Sequence, residues 1–335
     1  MRNALLNWYD AQGRALPWRV RPEDRARGII PDAYAVWLSE VMSQQTTLAH
    51  ATPYWERFLA AFPTVTNLAN ADRDVVLSMW AGLGYYARAR NLHKCAGVVR
   101  DDHAGLFPTD EKTLLTLPGI GPYTAATVAA ICAEEATNIV DGNVERVISR
   151  VFMYEPALPK GRKGLRALAA TLVRADRPGD YGQALMDLGA TICTPKSPAC
   201  LLCPWQTFCA ARAESLETNY PKKLKKQPTP IRHGYAYVLR SGDAVQVERR
   251  PDGGLLGGMM GLPTSAWSEA VPEDHAAAPG THNWQHIGDV RHVFTHFELR
   301  LAVFGAELGA RSAGEWVEDV SGMPTVFRKC VEVGG

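Results

Sequence analysis

Four of the chain's seven cysteines fall within seventeen residues, as Cys193-x6-Cys200-x2-Cys203-x5-Cys209. Thiolates spaced this closely can converge on one metal centre, whereas disulfides among them would be strained or redundant. Structural zinc sites usually show two C-x2-C pairs with a longer spacer, and only one such pair occurs here. Gaps of six and five around that pair, with no histidine nearby, suit an iron–sulfur cluster held by one continuous loop. Spacing favours the cluster and leaves zinc open. Cys95, Cys132 and Cys330 are scattered and suggest no pairing.

Two carboxylates could do acid–base work. Glu40 lies in VWLSEVM, flanked by Trp37, Leu38, Val41 and Met42. A carboxyl in such company can lose solvent and rise in pKa towards a useful general acid. The ordinary alternative is a surface glutamate on the polar stripe of an amphipathic helix. Asp141-Gly-Asn143 opens the segment GNVERVISRVF, where Asp is a preferred helix N-cap as well as a possible catalytic group. Two further stretches could meet nucleic acid. In LPGIGPYTA, residues 117–125, Gly119 and Gly121 allow a tight helix–hairpin–helix turn before Pro122. The second helix would then offer backbone N–H groups to a phosphate. GLGYYARARNL, residues 82–92, interleaves glycines with Leu83, Tyr85 and Arg88. Aromatics can wedge between bases and arginines can meet phosphates, or the stretch is a core helix starting at a glycine turn.

These residues need elements to hold them. Apolar residues recur at three and four spacing in AYAVWLSEVMSQQT, YTAATVAAICA and GNVERVISRVF, so the first two hundred residues are predicted mainly helical. TNYPKKLKKQPTPIR, residues 218–232, carries three prolines and four lysines and is predicted to be a linker. Beyond it, GYAYVLRSGDAVQVERR predicts two strands around a Ser-Gly-Asp turn, RHVFTHFELRLAVFGAEL a long strand or hairpin, and 270–282 a loose surface loop. The expected organisation is a helical domain over 1–217, a linker over 218–232 and an α+β domain over 233–335.

The net charge of +1 hides an asymmetry. Residues 1–230 hold 27 Lys+Arg against 22 Asp+Glu, and residues 231–335 hold 9 against 13. A basic first part can bind a polyanion while an acidic second part limits non-specific sticking. No apolar run suits a signal peptide or a membrane span. With the loop thiols, this predicts a reducing, cytoplasmic setting.

Taken together, LPWR at 16–19, VWLSEVMSQQT at 36–46, GLGYYARARNL, LPGIGPYTA, VDGNVERV at 140–147 and YGQALMDLGATICTP at 181–195 resemble the helix–hairpin–helix DNA glycosylases that carry a cysteine loop. Within them the chain is most similar to the adenine DNA glycosylase (MutY) branch. The resemblance covers nearly the whole chain in the family's order. It implies a structural [4Fe-4S] cluster on Cys193, Cys200, Cys203 and Cys209, and double-stranded DNA with A:8-oxoguanine or A:G mispairs as the partner of a monomer at the nucleoid. It further implies that Glu40 protonates a flipped-out adenine while Asp141, oriented by Asn143, stabilises the cationic sugar. Where endonuclease III–like members carry a nucleophilic lysine this chain has Tyr123, which implies a monofunctional enzyme that leaves the strand intact.

By the same resemblance, Trp18, Arg19 and Asp187 line the adenine pocket, and Gln45, Thr46, Leu83 and Tyr85 fill or prop the stack around the lesion. The second domain resembles a Nudix-like module without the hydrolase glutamates, reading 8-oxoguanine through Phe294-Thr295-His296, with Thr where Ser is usual. VRPEDRARGIIPDAY, residues 20–34, is longer than the family's usual connection, and GLLGGMMGLP at 254–263 replaces its usual aromatic and acidic residues. Lys222, Lys223, Lys225 and Lys226 are candidates to follow the DNA backbone. The alternatives are a thymine/uracil mismatch glycosylase of the same superfamily, or a non-catalytic iron–sulfur DNA-binding protein.

Overall fold

The computed structural model describes residues 1–224, 228–251 and 253–333. Its chain divides into two compact units, Met1–Ala71 with Asn91–Lys225 and Asp72–Arg90 with Lys226–Gly335.

The first unit is helical. Helix Ala33–Met42 is apolar almost all round, and Tyr34 to Ser39, Val41 and Met42 are all buried. Such a helix has no solvated stripe, so Glu40 is not the surface residue of an amphipathic face. Helix Pro122–Ala133 starts with Pro at its first turn, where the missing N–H costs nothing, and its alanines let neighbours approach closely. The turn before it needs Gly119, whose φ is +77° and where a Cβ would stand 2.6 Å from that of Asn91. Helix Gly142–Val151 buries Val144, Val147, Ile148 and Val151 in a core shared with Leu5, Tyr181 and Leu185. Helix Pro178–Asp187 runs on into a widened π-type turn, Leu188–Ile192. That turn lies against Asn143 because Gly189 has no side chain: a Cβ there would come within 2.6 Å of Asn143 Cβ.

The Pro- and Lys-rich segment is not a linker throughout. Arg150 Nε donates to Tyr220 O at 3.1 Å, Leu158 N to Lys222 O at 2.9 Å and Leu224 N to Leu158 O at 3.2 Å. Residues 220–224 therefore belong to the helical unit. Lys225 and Lys226 lie outside the described residues.

The second unit holds a mixed sheet of β1 (Ile231–Ser241), β2 (Ala244–Arg249), β3 (Met260–Gly261), β4 (Gln285–Val293), β5 (Glu298–Glu307) and β6 (Glu315–Val317). Its order is β3-β2-β1-β5-β4, with β6 on β2. The β1–β2 hairpin turns at Gly242 as the sequence suggests, and β1 begins at Ile231, two residues ahead of the expected boundary. The long β4–β5 segment is a hairpin whose second strand runs parallel to β1. Ala236, Val238, Leu299, Leu301 and Val303 face helix Thr325–Val333 and form the core. The expected loose loop at 270–282 is irregular but anchored: His275 packs edge-on to Phe304, with ring centroids 4.5 Å apart.

Gly119→Ala forces an ordinary residue into left-handed backbone against Asn91. It should cost roughly 1–3 kcal/mol of stability, read as a lower midpoint in chemical denaturation. An unchanged midpoint would refute the turn geometry.

Candidate active site and cluster loop

Glu40, Tyr123 and Asp141 line one cavity of about 180 Å³ together with Trp18, Arg19 and Asn143. Burial, helped by the nearby Asp141 charge and opposed by the Tyr123 hydroxyl and Arg19, pushes the Glu40 carboxyl up to about 7. Burial also raises Asp141, but donors hold it back. Val144 N–H donates to its Oδ1 at 2.7 Å and Asn143 Nδ2 to its Oδ2 at 2.9 Å. Asp141 is thus an N-cap and a cavity carboxylate at once. The Tyr123 phenol is pushed well above its usual range by burial and by the two acids, so it stays protonated, within reach of Glu40 and 3.2 Å from Met186 Sδ.

The residues around this pair divide. Trp18 packs on Trp55 at 5.4 Å between centroids. Arg19 makes a bidentate pair with Asp187, at 2.8 and 2.9 Å. Asp187 does not line the cavity: it is fully buried, and Arg14 also donates to it, from N at 2.8 Å and from Nε at 2.6 Å. Burial pushes this carboxyl up, but the two arginines outweigh that and hold it below the usual range. Its oxygens are spent on orienting Arg14 and Arg19, which corrects the expectation that it lines the pocket. Arg14, Gln183 and Met186 line the cavity and were not singled out from sequence. Gln183 stands one helical turn before Asp187 in the helix, a spacing that could have flagged it.

Thr46 also lines the cavity, and the exposed Gln45 beside it has a φ of +59°. Exposed Gly121 N-caps helix Pro122–Ala133, whose first-turn N–H groups have no acceptor within the helix. In the second unit Leu83 is buried, with only 5% of its surface exposed, so Tyr85 rather than Leu83 is presented to solvent. The Tyr85 hydroxyl lies 2.5 Å from Thr295 Oγ1. Arg88 braces the glycine turn instead of projecting outward. Its Nη2 donates to Leu83 O at 2.9 Å and Gly84 O at 3.2 Å, and burial lowers its pKa to about 10. Thr295 and His296 are exposed at the tip of the β4–β5 turn, and Phe294 is half-buried beneath them.

Cys193, Cys200, Cys203 and Cys209 ring a second cavity. Sulfur there already has donors: Arg150 Nη1 is 3.2 Å from Cys193 Sγ and Trp205 N is 3.4 Å from Cys203 Sγ. Among the described residues no three His, Cys, Asp or Glu side chains form a single-ion site. Four thiols around a shared space, with N–H donors aimed at two of them, fit a cluster whose ligands occupy separate corners. Arg146 ties this loop to the active cavity. Its Nη2 donates to Asn143 Oδ1 at 2.8 Å and to Gly189 O at 2.6 Å, and its Nε donates to Cys193 O at 2.7 Å.

Residues 38–174 match the family model of the HhH-GPD superfamily base excision DNA repair proteins, 193–209 the iron–sulfur binding domain of endonuclease III, and 234–333 the NUDIX domain. The adenine DNA glycosylase of Homo sapiens is 35% identical over 92% of this chain and 67% of its own length. That of Buchnera aphidicola from Schizaphis graminum is 30% identical over 98% and 97%. A thermostable thymine-DNA glycosylase superposes with a TM-score of 0.56 at 29% identity, over 63% of this chain and 94% of that one. An endonuclease III–DNA complex at 19% identity and TM-score 0.52 shares the fold over 64% of this chain and 94% of that one. Fold and sites define a DNA glycosylase of base excision repair whose cysteine loop carries a [4Fe-4S] cluster. The chain belongs to the adenine DNA glycosylase family. No helix among the described residues is long and apolar enough to cross a membrane.

Arg146→Leu cuts the link between Asn143 and the cysteine loop without touching a thiol. Base release should slow by up to about a hundredfold while the cluster's visible absorbance persists. Unchanged single-turnover rates would show that Asn143 needs no such support.

Proposed function

We propose that this enzyme hydrolyses the N-glycosidic bond of adenine mispaired with 8-oxoguanine or guanine, working as a monomer on duplex DNA at the nucleoid. The observation that carries the reading is the pair of carboxyls in one cavity with opposite surroundings. Glu40 is desolvated and raised to about 7, whereas Asp141 is met by N–H donors. Burial raises both, but N–H donors restrain Asp141 and favour its charged form, and two acids in such unequal surroundings take different roles.

Adenine flipped out of the stack enters the cavity beside Trp18 and Arg19. Protonated Glu40 gives its proton to a ring nitrogen of the base, so the electrons of the breaking bond leave with a neutral adenine. The sugar becomes an oxocarbenium ion that the Asp141 carboxylate stabilises or captures, with Asn143 fixing its orientation. Water then adds to the sugar carbon and gives up a proton, leaving an abasic site. Tyr123 stands where a lysine would form a Schiff base, and no lysine lines the cavity among the described residues. The turn at 294–296 reads the base opposite, and the cluster orders its loop rather than taking part in the bond cleavage.

In single-turnover assays on duplexes with adenine or thymine opposite 8-oxoguanine or guanine, only adenine should be released, and Glu40→Gln should abolish release while duplex binding survives. Full activity in Glu40→Gln would mean the proton comes from elsewhere. Because the proton donor must be protonated, the rate should fall roughly tenfold per pH unit above about 7. The linkage to stability has the same sign. A carboxyl raised from 4.5 to about 7 favours the folded state below 4.5, and that contribution is lost as pH rises through 7. Glu40→Gln should therefore melt higher than the parent at pH 8 and lose that advantage near pH 4.5. Treatment of the product without alkali or heat should show no strand break, and efficient nicking would contradict the assignment of Tyr123.

A further inference from the structure

The β4–β5 turn closes where Phe294 N–H donates to Phe297 O at 2.9 Å. Its tip residues, Thr295 and His296, are exposed, the Thr295 hydroxyl meeting that of Tyr85, and its two phenylalanines turn inward. Phe294 stacks on Trp267, with centroids 5.9 Å apart and planes 25° from parallel. Phe297 is 6.5 Å from the same indole and is capped on another side by Arg232 at 4.4 Å. Trp267 is itself fixed. Phe327 of the C-terminal helix lies 6.4 Å away, and the Arg250 guanidinium sits 4.9 Å above the ring. The next residue, Ser268, is locked to β1, with His233 N donating to Ser268 O at 2.7 Å and Ser268 N to His233 O at 3.1 Å. Gly234 leaves room for the indole: a Cβ there would come within 2.7 Å of Trp267 Cδ1.

We propose that Trp267 is the positioning residue of this recognition turn, holding Phe294 so that Thr295 and His296 meet the partner base at a fixed place. The inference rests on the reading that residues 294–296 face the base opposite adenine. It changes the role of Phe294, which is an anchor spent on Trp267 and not a DNA contact. Trp267 touches no reacting atom. It acts on partner choice through the turn, because a stacked pair resists the sideways motion that would blur discrimination.

The test uses the full chain with its cluster and measures the ratio of affinities for duplexes with adenine opposite 8-oxoguanine and opposite guanine. Trp267→Ala should lower that ratio roughly three- to tenfold, with Trp267→Phe recovering most of it. Phe294→Leu, which breaks the same stack from the other side, should show the same loss and guards against misfolding of the alanine variant. A paired Thr295→Ala/His296→Ala variant reports on the underlying reading. If that variant loses the ratio while Trp267→Ala and Phe294→Leu keep it, the turn reads the base but Trp267 does not position it. If the paired variant keeps the ratio, the reading of the turn fails and the proposal with it. An equal fall on both duplexes would mark Trp267 as a stability residue only and overturn the proposal.

Discussion

Asp141 can serve as a half-buried carboxylate only because the first turn of one helix supplies its hydrogen bonds, and the rest of the site hangs on how that helix is held. Along helix Gly142–Val151, Asn143 bonds Asp141, Arg146 bonds Asn143, and Arg150 lies one turn further on. Arg146 and Arg150 reach the carbonyls of Cys193, Thr194 and Pro195, and Arg150 also meets Cys193 Sγ. One row of side chains thus runs from the active cavity to the metal loop. A cysteine loop folded around its cluster presents those carbonyls at fixed points, which makes it a scaffold for chemistry it does not perform.

Glu40, Asp141 and Asp187 of the first unit meet different partners, and the partners decide what becomes of each carboxyl. Glu40 has burial and a neighbouring negative charge, and it rises. Asp141 has burial set against N–H donors. Asp187 has two arginines, falls below its usual range and becomes a brace. Arg19 links the groups, since it both grips Asp187 and lines the cavity holding Glu40. Removing Asp187 would therefore disturb the cavity without removing a group that lines it.

Much of this was legible in the chain. The cysteine spacing pointed to a cluster, helical periodicity and the later strand pattern gave the two kinds of unit, and glycines marked the hairpin turn. Glu40 and Asp141 each had an ordinary local reading, as a surface glutamate and as an N-cap, and only the family resemblance gave them catalytic roles. What stayed hidden depended on partners distant in sequence. Asp187 is claimed by Arg14 and Arg19, more than 160 residues away. Leu83 is buried and Arg88 folds back on its own turn. The lysine-rich segment is pinned to Leu158. Composition described each of these segments correctly as polar or apolar, but the choice between a free and an occupied side chain is made by tertiary contacts.

The second unit is assembled from two stretches far apart in sequence: Asp72–Arg90, which interrupts the first unit along the chain, clusters with strands that begin only at Ile231. Arg249 of β2 pairs with Asp74 at 2.7 Å, within that unit. During synthesis the early piece leaves the ribosome long before its partners exist, and contacts closed over such distances are slow to form. Until β2 and the β4–β5 hairpin arrive, the Tyr85 turn lacks Thr295 and the Arg249–Asp74 pair is unmade. A chain cut between the two halves would leave each fragment without part of one folding unit, so the natural boundary in sequence is not a boundary in folding.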